Sequence, residues 1–152
     1  MKVTPLLFEQ LPFLFPIGHA FTDEVGRADF NEGAFLGSWS PLMESGVGEI
    51  HAIWSSGPVT RDQKIIAVLG AAFSPDMFSG RMTATELFWY VLPEFRKTGA
   101  GLMLLDHFEE RAEARGCSEI LMVHFAHMGA SLQKLYESRG FSLLEQTFRK
   151  ES

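Results

Sequence analysis

The chain has 152 residues, 46% of them hydrophobic and 21% charged, which suits a single domain with a sizeable core. Its 13 basic and 19 acidic residues give a net charge of -6, which excludes a broadly basic nucleic-acid surface and leaves room for a cationic or amine ligand. One cysteine, Cys117, excludes an internal disulfide and fits a reducing compartment.

The first residues are apolar but are broken by Pro5, Pro12 and Pro16 and carry Glu9. They read as neither a membrane span nor a signal segment, so a cytoplasmic protein is expected. A short strand is predicted over 2–6 and a helix over 11–25, with Pro12 and Pro16 both in its first turn. Asn31 is the predicted N-cap of a second helix through Phe35, Leu36 and Trp39. Pro41 is expected to kink or interrupt that helix, and Gly46 to end the region. Strands are predicted over 48–55, with Ile50, Ala52 and Trp54 on one side, and over 64–74. Ser56-Gly57-Pro58 and the polar turn Arg61-Asp62-Gln63 separate them.

The most informative stretch follows. Residues 83–92 are rich in β-branched and aromatic side chains and predict a strand, ended by Pro93. From Gly101 the apolar residues Leu105, Phe108 and Ala112 recur at helical spacing, and Gly116 suits a left-handed C-terminal cap. Between them stands Arg96-Lys97-Thr98-Gly99-Ala100-Gly101. A strand-to-helix turn exposes N–H groups with no intrahelical partner, the helix dipole adds positive charge, and glycines let an anion approach the backbone. This is a phosphate cradle, although it matches neither the P-loop pattern nor a full dinucleotide fingerprint.

Beyond it, residues 119–125 predict a strand buried on both faces, 130–139 a short helix ended by Gly140, and 141–144 with 147–149 a final strand pair. The element order is β-α-α-β-β-β-α-β-α-β-β. It indicates an α/β or α+β sandwich rather than a doubly wound fold. No repeat or linker divides the chain, so residues 1–152 are expected to form one domain.

The run Val91-Leu92-Pro93-Glu94-Phe95-Arg96-Lys97-Thr98-Gly99-Ala100-Gly101 resembles motif A of the GNAT superfamily of N-acetyltransferases. Leu135-Tyr136-Glu137-Ser138-Arg139-Gly140-Phe141 is similar to that family's motif B, at about the family's spacing. The resemblance implies an α/β fold with a central mixed, twisted sheet flanked by helices and two parallel strands splayed at the acetyl-CoA site. It implies acetyl transfer from acetyl-CoA to a primary amine, on a small molecule or a protein. A non-catalytic acyl-CoA-binding or assembly protein on the same fold is the alternative. Neither a metal, a membrane nor a nucleic acid is expected as a partner, and the chain is expected to be a monomer or homodimer.

The family's cofactor-binding positions fall here on Trp89, Tyr90 and Val91, whose backbone N–H groups would meet the acetyl carbonyl and pantetheine, and on the six-residue turn, which would hold the pyrophosphate. Tyr136 matches the tyrosine that faces the thioester sulfur. A phenol with a pKa near ~10 can protonate a thiolate of similar basicity. Glu86 sits in an apolar strand, where an unpaired carboxylate is costly, and alternation would put it on one face with Phe88 and Tyr90. It is the first candidate for the base, with a hydrogen-bonded structural role as the alternative. His124, twelve residues before Tyr136, is the second candidate, with a core histidine as the alternative. Many family members place an asparagine seven residues before the motif B tyrosine to contact pantetheine; this chain has Gly129. His124 and His127 lack the further ligands a metal needs. His19, His51 and His107 show no pattern, and Cys117 reads as structural. Phe15, Phe21, Phe35 and Trp39 lie in the region that covers the acceptor side in the resembling fold.

Overall fold

The computed structural model describes residues 1–27, 29–55, 63–126 and 129–152. They divide into two compact units, Met1–Met122 and Val123–Ser152. The 56–58 break, the first two residues of the 61–63 turn and His127 lie outside the described residues.

In the first unit, five strands lie in sequence order: β1 (Val3–Pro5), β2 (Gly48–Trp54), β3 (Ile65–Pro75), β4 (Met82–Val91) and β5 (Glu119–Leu121). Neighbours from β1 to β4 pair antiparallel, while β4 and β5 pair parallel, so the sheet is mixed as expected. A 3-10 turn (Phe8–Leu14) leads into α1 (Phe15–Val25), followed by α2 (Glu32–Glu44). The helix predicted over 11–25 is therefore two elements. Pro16 occupies the first turn of α1, but Pro12 belongs to the 3-10 segment before it. Asn31 caps α2 as predicted, its side chain accepting from the Ala34 N–H at 2.7 Å. Pro41 does not interrupt α2, which runs on to Glu44.

The two faces of the sheet are covered by different elements. On one, α3 (Ala100–Ala114) sets Ala100, Leu104, Phe108 and Ala112 at successive four-residue steps against Leu69, Ala71, Phe73 and Ala84. Each large apolar side chain so buried contributes roughly 1.5–3 kcal/mol. On the other face, Leu11, Leu14 and Ile17 join Trp39, Val68 and Tyr90. The end of α3 follows from its sequence. Gly116 takes φ +70, its N–H bonds to Glu113 O at 3.0 Å, and the Cys117 N–H bonds to Ala112 O at 2.9 Å. This satisfies carbonyls the helix would otherwise leave open.

Two strand expectations need correction. The strand predicted over 119–125 is only Glu119–Leu121, and it is exposed to half-buried rather than buried on both faces. It sits at the sheet edge with one partner, and that pairing covers only Thr83–Thr85 of β4. An apolar run does not report how many neighbours a strand has. Likewise, residues 141–152 form no strand. Leu143, Leu144 and Phe148 are exposed there, and backbone without a ladder partner has no reason to stay extended.

The second unit contains α4 (Ala130–Ser138). Gly140 takes φ +90, its N–H bonds to Glu137 O, and the Phe141 N–H bonds to Tyr136 O. The Tyr136 and Phe141 rings are 5.6 Å apart. The Tyr-x-x-x-Gly-Phe spacing is thus a helix stop with its customary apolar contact across the cap.

Candidate active site

The register of β3 on β4 decides the site's geometry. Ala67, Val68, Leu69 and Gly70 face Val91, Tyr90, Trp89 and Phe88, but Ala71 faces Glu86. Leu87 is therefore an extra, bulged residue, and it is exposed. The bulge overturns one reading of the strand. Glu86 does not share a face with Phe88 and Tyr90. It pairs with Ala71, on the side of the α3 core, whereas Phe88 and Tyr90 pack on the α1–α2 side. Strict alternation fails wherever one strand carries an extra residue. Glu86 is itself buried, at 5% exposure.

After β4, Pro93–Phe95 make a 3-10 turn and Gly99 precedes α3 with φ +87. That left-handed conformation favours glycine, and a Cβ added there would meet only open space. The first helical bond runs from the Met103 N–H to Gly99 O at 3.0 Å. The N–H groups of Gly101 and Leu102 thus have no intrahelical acceptor, and that of Ala100 donates to the Thr98 hydroxyl oxygen at 3.4 Å. Thr98 braces the turn, its hydroxyl donating to Phe95 O at 2.6 Å. A helix start with such N–H groups is a donor set that suits an anion.

Arg96 also makes contacts within the protein. Its guanidinium donates to Glu24 of α1 at 2.5 Å and to Val91 O at 3.0 Å, and it lies over the Tyr90 ring at 5.4 Å. The Tyr90 hydroxyl donates to the same Glu24 oxygen at 2.7 Å. Burial and this hydrogen bond push the Tyr90 phenol up to about 12, so it stays protonated. The Glu24 hydrogen bond likewise raises Arg96. Arg96 therefore ties the turn to the end of α1. Sequence reasoning missed Glu24, which stands 72 positions from Arg96 and belongs to no local pattern.

A cavity of about 220 Å³ opens on the α1–α2 side of β4. Phe21, Phe30, Phe35, Trp39, Leu87 and Phe88 are among its walls. Of the four aromatic residues singled out near the N-terminus, Phe21, Phe35 and Trp39 line it.

On the α3 face a polar network runs between β2 and α3. Glu49 accepts from Arg111 Nε at 3.0 Å and from Arg115 Nη1 at 3.1 Å. His51 Nε2 lies 3.4 Å from Glu49, and His51 Nδ1 lies 3.0 Å from His107 Nε2. Burial pushes the Glu49 carboxyl up. Hydrogen bonds from His51 and Arg115, with the Arg111 charge, outweigh it and hold the group at about 2. Burial first, then His51, lowers His107. Two of the histidines that showed no pattern, His51 and His107, are thus partners. The available signal was a polar stripe on α3, His107, Arg111 and Arg115 at four-residue steps, facing Glu49 and His51 at two-residue spacing on a strand.

The remaining expected site residues belong to the second unit. The Tyr136 hydroxyl donates to Val123 O at 2.9 Å, and the ring is 7% exposed. His124 Nε2 lies 3.3 Å from Gly129 O. Gly129 precedes α4 directly. Cys117 is a half-buried free thiol whose pKa burial raises. Among the described residues, no helix is long and apolar enough to cross a membrane.

The sequence matches the model of the Acetyltransferase (GNAT) family over residues 28–141. A search of the curated proteins finds no match. Solved structures with a similar fold include an acetyltransferase from Trypanosoma brucei, with TM-score 0.74, 15% identity and 99% of each chain covered. Another is a ribosomal-protein-alanine N-acetyltransferase from Brucella melitensis biovar Abortus 2308, with TM-score 0.68, 16% identity and 100% of each chain covered. A third is an aminoglycoside antibiotic 6'-N-acetyltransferase from Acinetobacter haemolyticus, with TM-score 0.69 and 19% identity, covering 100% of this chain and 98% of that one.

Proposed function

This chain belongs to the acetyltransferase (GNAT) family, and from that premise we propose that it transfers the acetyl group of acetyl-CoA to a primary amine, with residues 1–152 acting as one catalytic domain. The observation that carries the proposal is the turn between β4 and α3. Gly99 at φ +87 presents the N–H groups of a helix start beside a strand that carries a bulge. Acetyl-CoA, as cosubstrate, supplies an acyl group already activated as a thioester.

The chain's own groups have these roles in the proposal. The turn from Arg96 through Lys97, Thr98, Gly99 and Ala100 to Gly101 binds the pyrophosphate, chiefly through backbone N–H groups. Arg96 acts mainly by fixing the turn to Glu24. The backbone at Trp89, Tyr90 and Val91 orients the acyl carbonyl and polarises it. Tyr136 holds the proton that the departing thiolate requires. Its hydroxyl, now donating to Val123 O, is the atom from which that proton moves. Glu86 lies on the α3 side of β4, so in the proposal it receives the proton of the incoming ammonium through water rather than directly, with His124 as the second candidate. A non-catalytic acyl-CoA-binding protein is the alternative. Gly129 supports it, because that position offers no side chain to pantetheine.

Release of free thiol from acetyl-CoA, followed over a panel of small amines and peptides, tests the proposal. At least one amine should turn over, and Tyr136→Phe should lower kcat about 10²-fold with acetyl-CoA affinity nearly unchanged. Tight acetyl-CoA binding by calorimetry with no turnover on any amine would favour the non-catalytic reading.

A further inference from the structure

Resting on the acetyltransferase reading, we propose that the acceptor is a small primary amine carrying an aromatic group, and that this group seats in the cavity between α1, α2 and β4. The size is right. An apolar cavity of about 150 Å³ accepts benzene, and this one, open on one side, offers about 220 Å³, room for an aryl ring and a short linker. The lining is right as well. Phe35 lies 5.4 Å from Phe30 and 6.3 Å from Phe88, and Trp39 meets Phe88 edge-on at 5.2 Å. Such rings favour stacked or edge-on contact with another ring.

The polar groups at the cavity's edge are already occupied. The Thr22 hydroxyl donates to Gly18 O at 3.1 Å, and the Tyr90 hydroxyl donates to Glu24. Among the described residues, no carboxylate lines the cavity. A polycationic acceptor would find nothing there to balance its charge, and a lysine side chain carries no ring to fill it. The location joins cavity to chemistry. Leu87, Phe88 and Tyr90 line the cavity and belong to the strand proposed to orient the acyl carbonyl. An aryl group bound there leaves its amine on a short tether beside β4. The wall is also built on purpose: a Cβ at Gly18 would stand 2.3 Å from the Phe30 ring, so glycine is what lets Phe30 close over α1.

The test gives the full chain acetyl-CoA with either 2-phenylethylamine or n-propylamine and follows free thiol. The aryl amine should be preferred by about 10²-fold in kcat/KM. Phe30→Ala, a change at a half-buried ring, should reduce that preference to about tenfold or less. A second arm uses wild-type protein without acetyl-CoA and observes 2-phenylethanol by saturation-transfer NMR. Its ring protons should receive saturation, and 2-phenylethylamine should displace it. Equal kcat/KM for the two amines, with thiol release intact, overturns the aryl acceptor and leaves the acetyltransferase reading standing. A preference for phenylacetyl-CoA over acetyl-CoA with n-propylamine overturns it too, by giving the cavity to the donor. Binding of 2-phenylethanol without turnover of any amine overturns both the transferase reading and this acceptor.

Discussion

The two faces of the sheet in the first unit each have a buried core, but they differ in what lies beside it. On the α3 face Leu104 and Phe108 are nearly inaccessible, and the Glu49–Arg111–Arg115 and His51–His107 contacts fasten β2 to the helix. The α1–α2 face is rich in aromatic rings yet encloses an empty volume. Close packing raises the cost of any change, whereas an unfilled aromatic wall gives up stability and leaves room for a ligand. The α3 face carries the helix whose start forms the proposed cradle. The α1–α2 face borders the bulge, where the proposed acceptor would enter.

The largest expected effect tests that contrast directly. Phe108→Ala should cost about 3–5 kcal/mol, because the ring is buried in the filled core. Phe30→Ala, at the cavity wall, should cost about 1 kcal/mol or less. Urea unfolding of both variants measures the difference, and equal losses would break the comparison.

The next effect is a pH dependence that the α3 face contributes. His107 is depressed in the folded state, so the folded chain binds fewer protons than the unfolded one near its ordinary value. Its contribution is complete above about pH 6.5 and is lost as pH falls from there toward the folded value. Glu49, held at about 2 against an ordinary 4.5, contributes fully above about 4.5 and is lost as pH falls toward about 2. Because it is partly solvated, about 1–3 kcal/mol is expected from it. Thermal melts of wild type and Glu49→Gln across pH 2 to 8 should show the variant lacking the lower limb. Parallel curves would remove Glu49 from the account.

The smallest effect concerns the turn that leads into α3. Gly99→Ala should cost about 1–2 kcal/mol through its left-handed backbone alone, since the added Cβ meets nothing. An unchanged melting temperature would mean that the turn relaxes to another conformation, and the cradle would then be less rigid than the face it belongs to.

Signals that lie within a few residues of one another were legible in the sequence. Asn31 announced its cap, Gly116 and Gly140 announced their helix ends, and residues 91–101 announced a strand, a turn and a helix. These features are fixed by backbone hydrogen bonds between near neighbours, so short stretches carry them. Matters of register and distance were decided only by the tertiary structure. The bulge at Leu87, which moved Glu86 to the other face, exists only because β3 pairs with β4 as it does. The short edge strand β5 and the unpaired residues after Phe141 depend on which neighbours a strand finds, and an apolar run does not encode that. Glu24 reaching Arg96, and His51 meeting His107, join residues 72 and 56 positions apart. No periodicity spans such distances; only the packing of α1 and α3 against the sheet brings those groups within a hydrogen bond of each other.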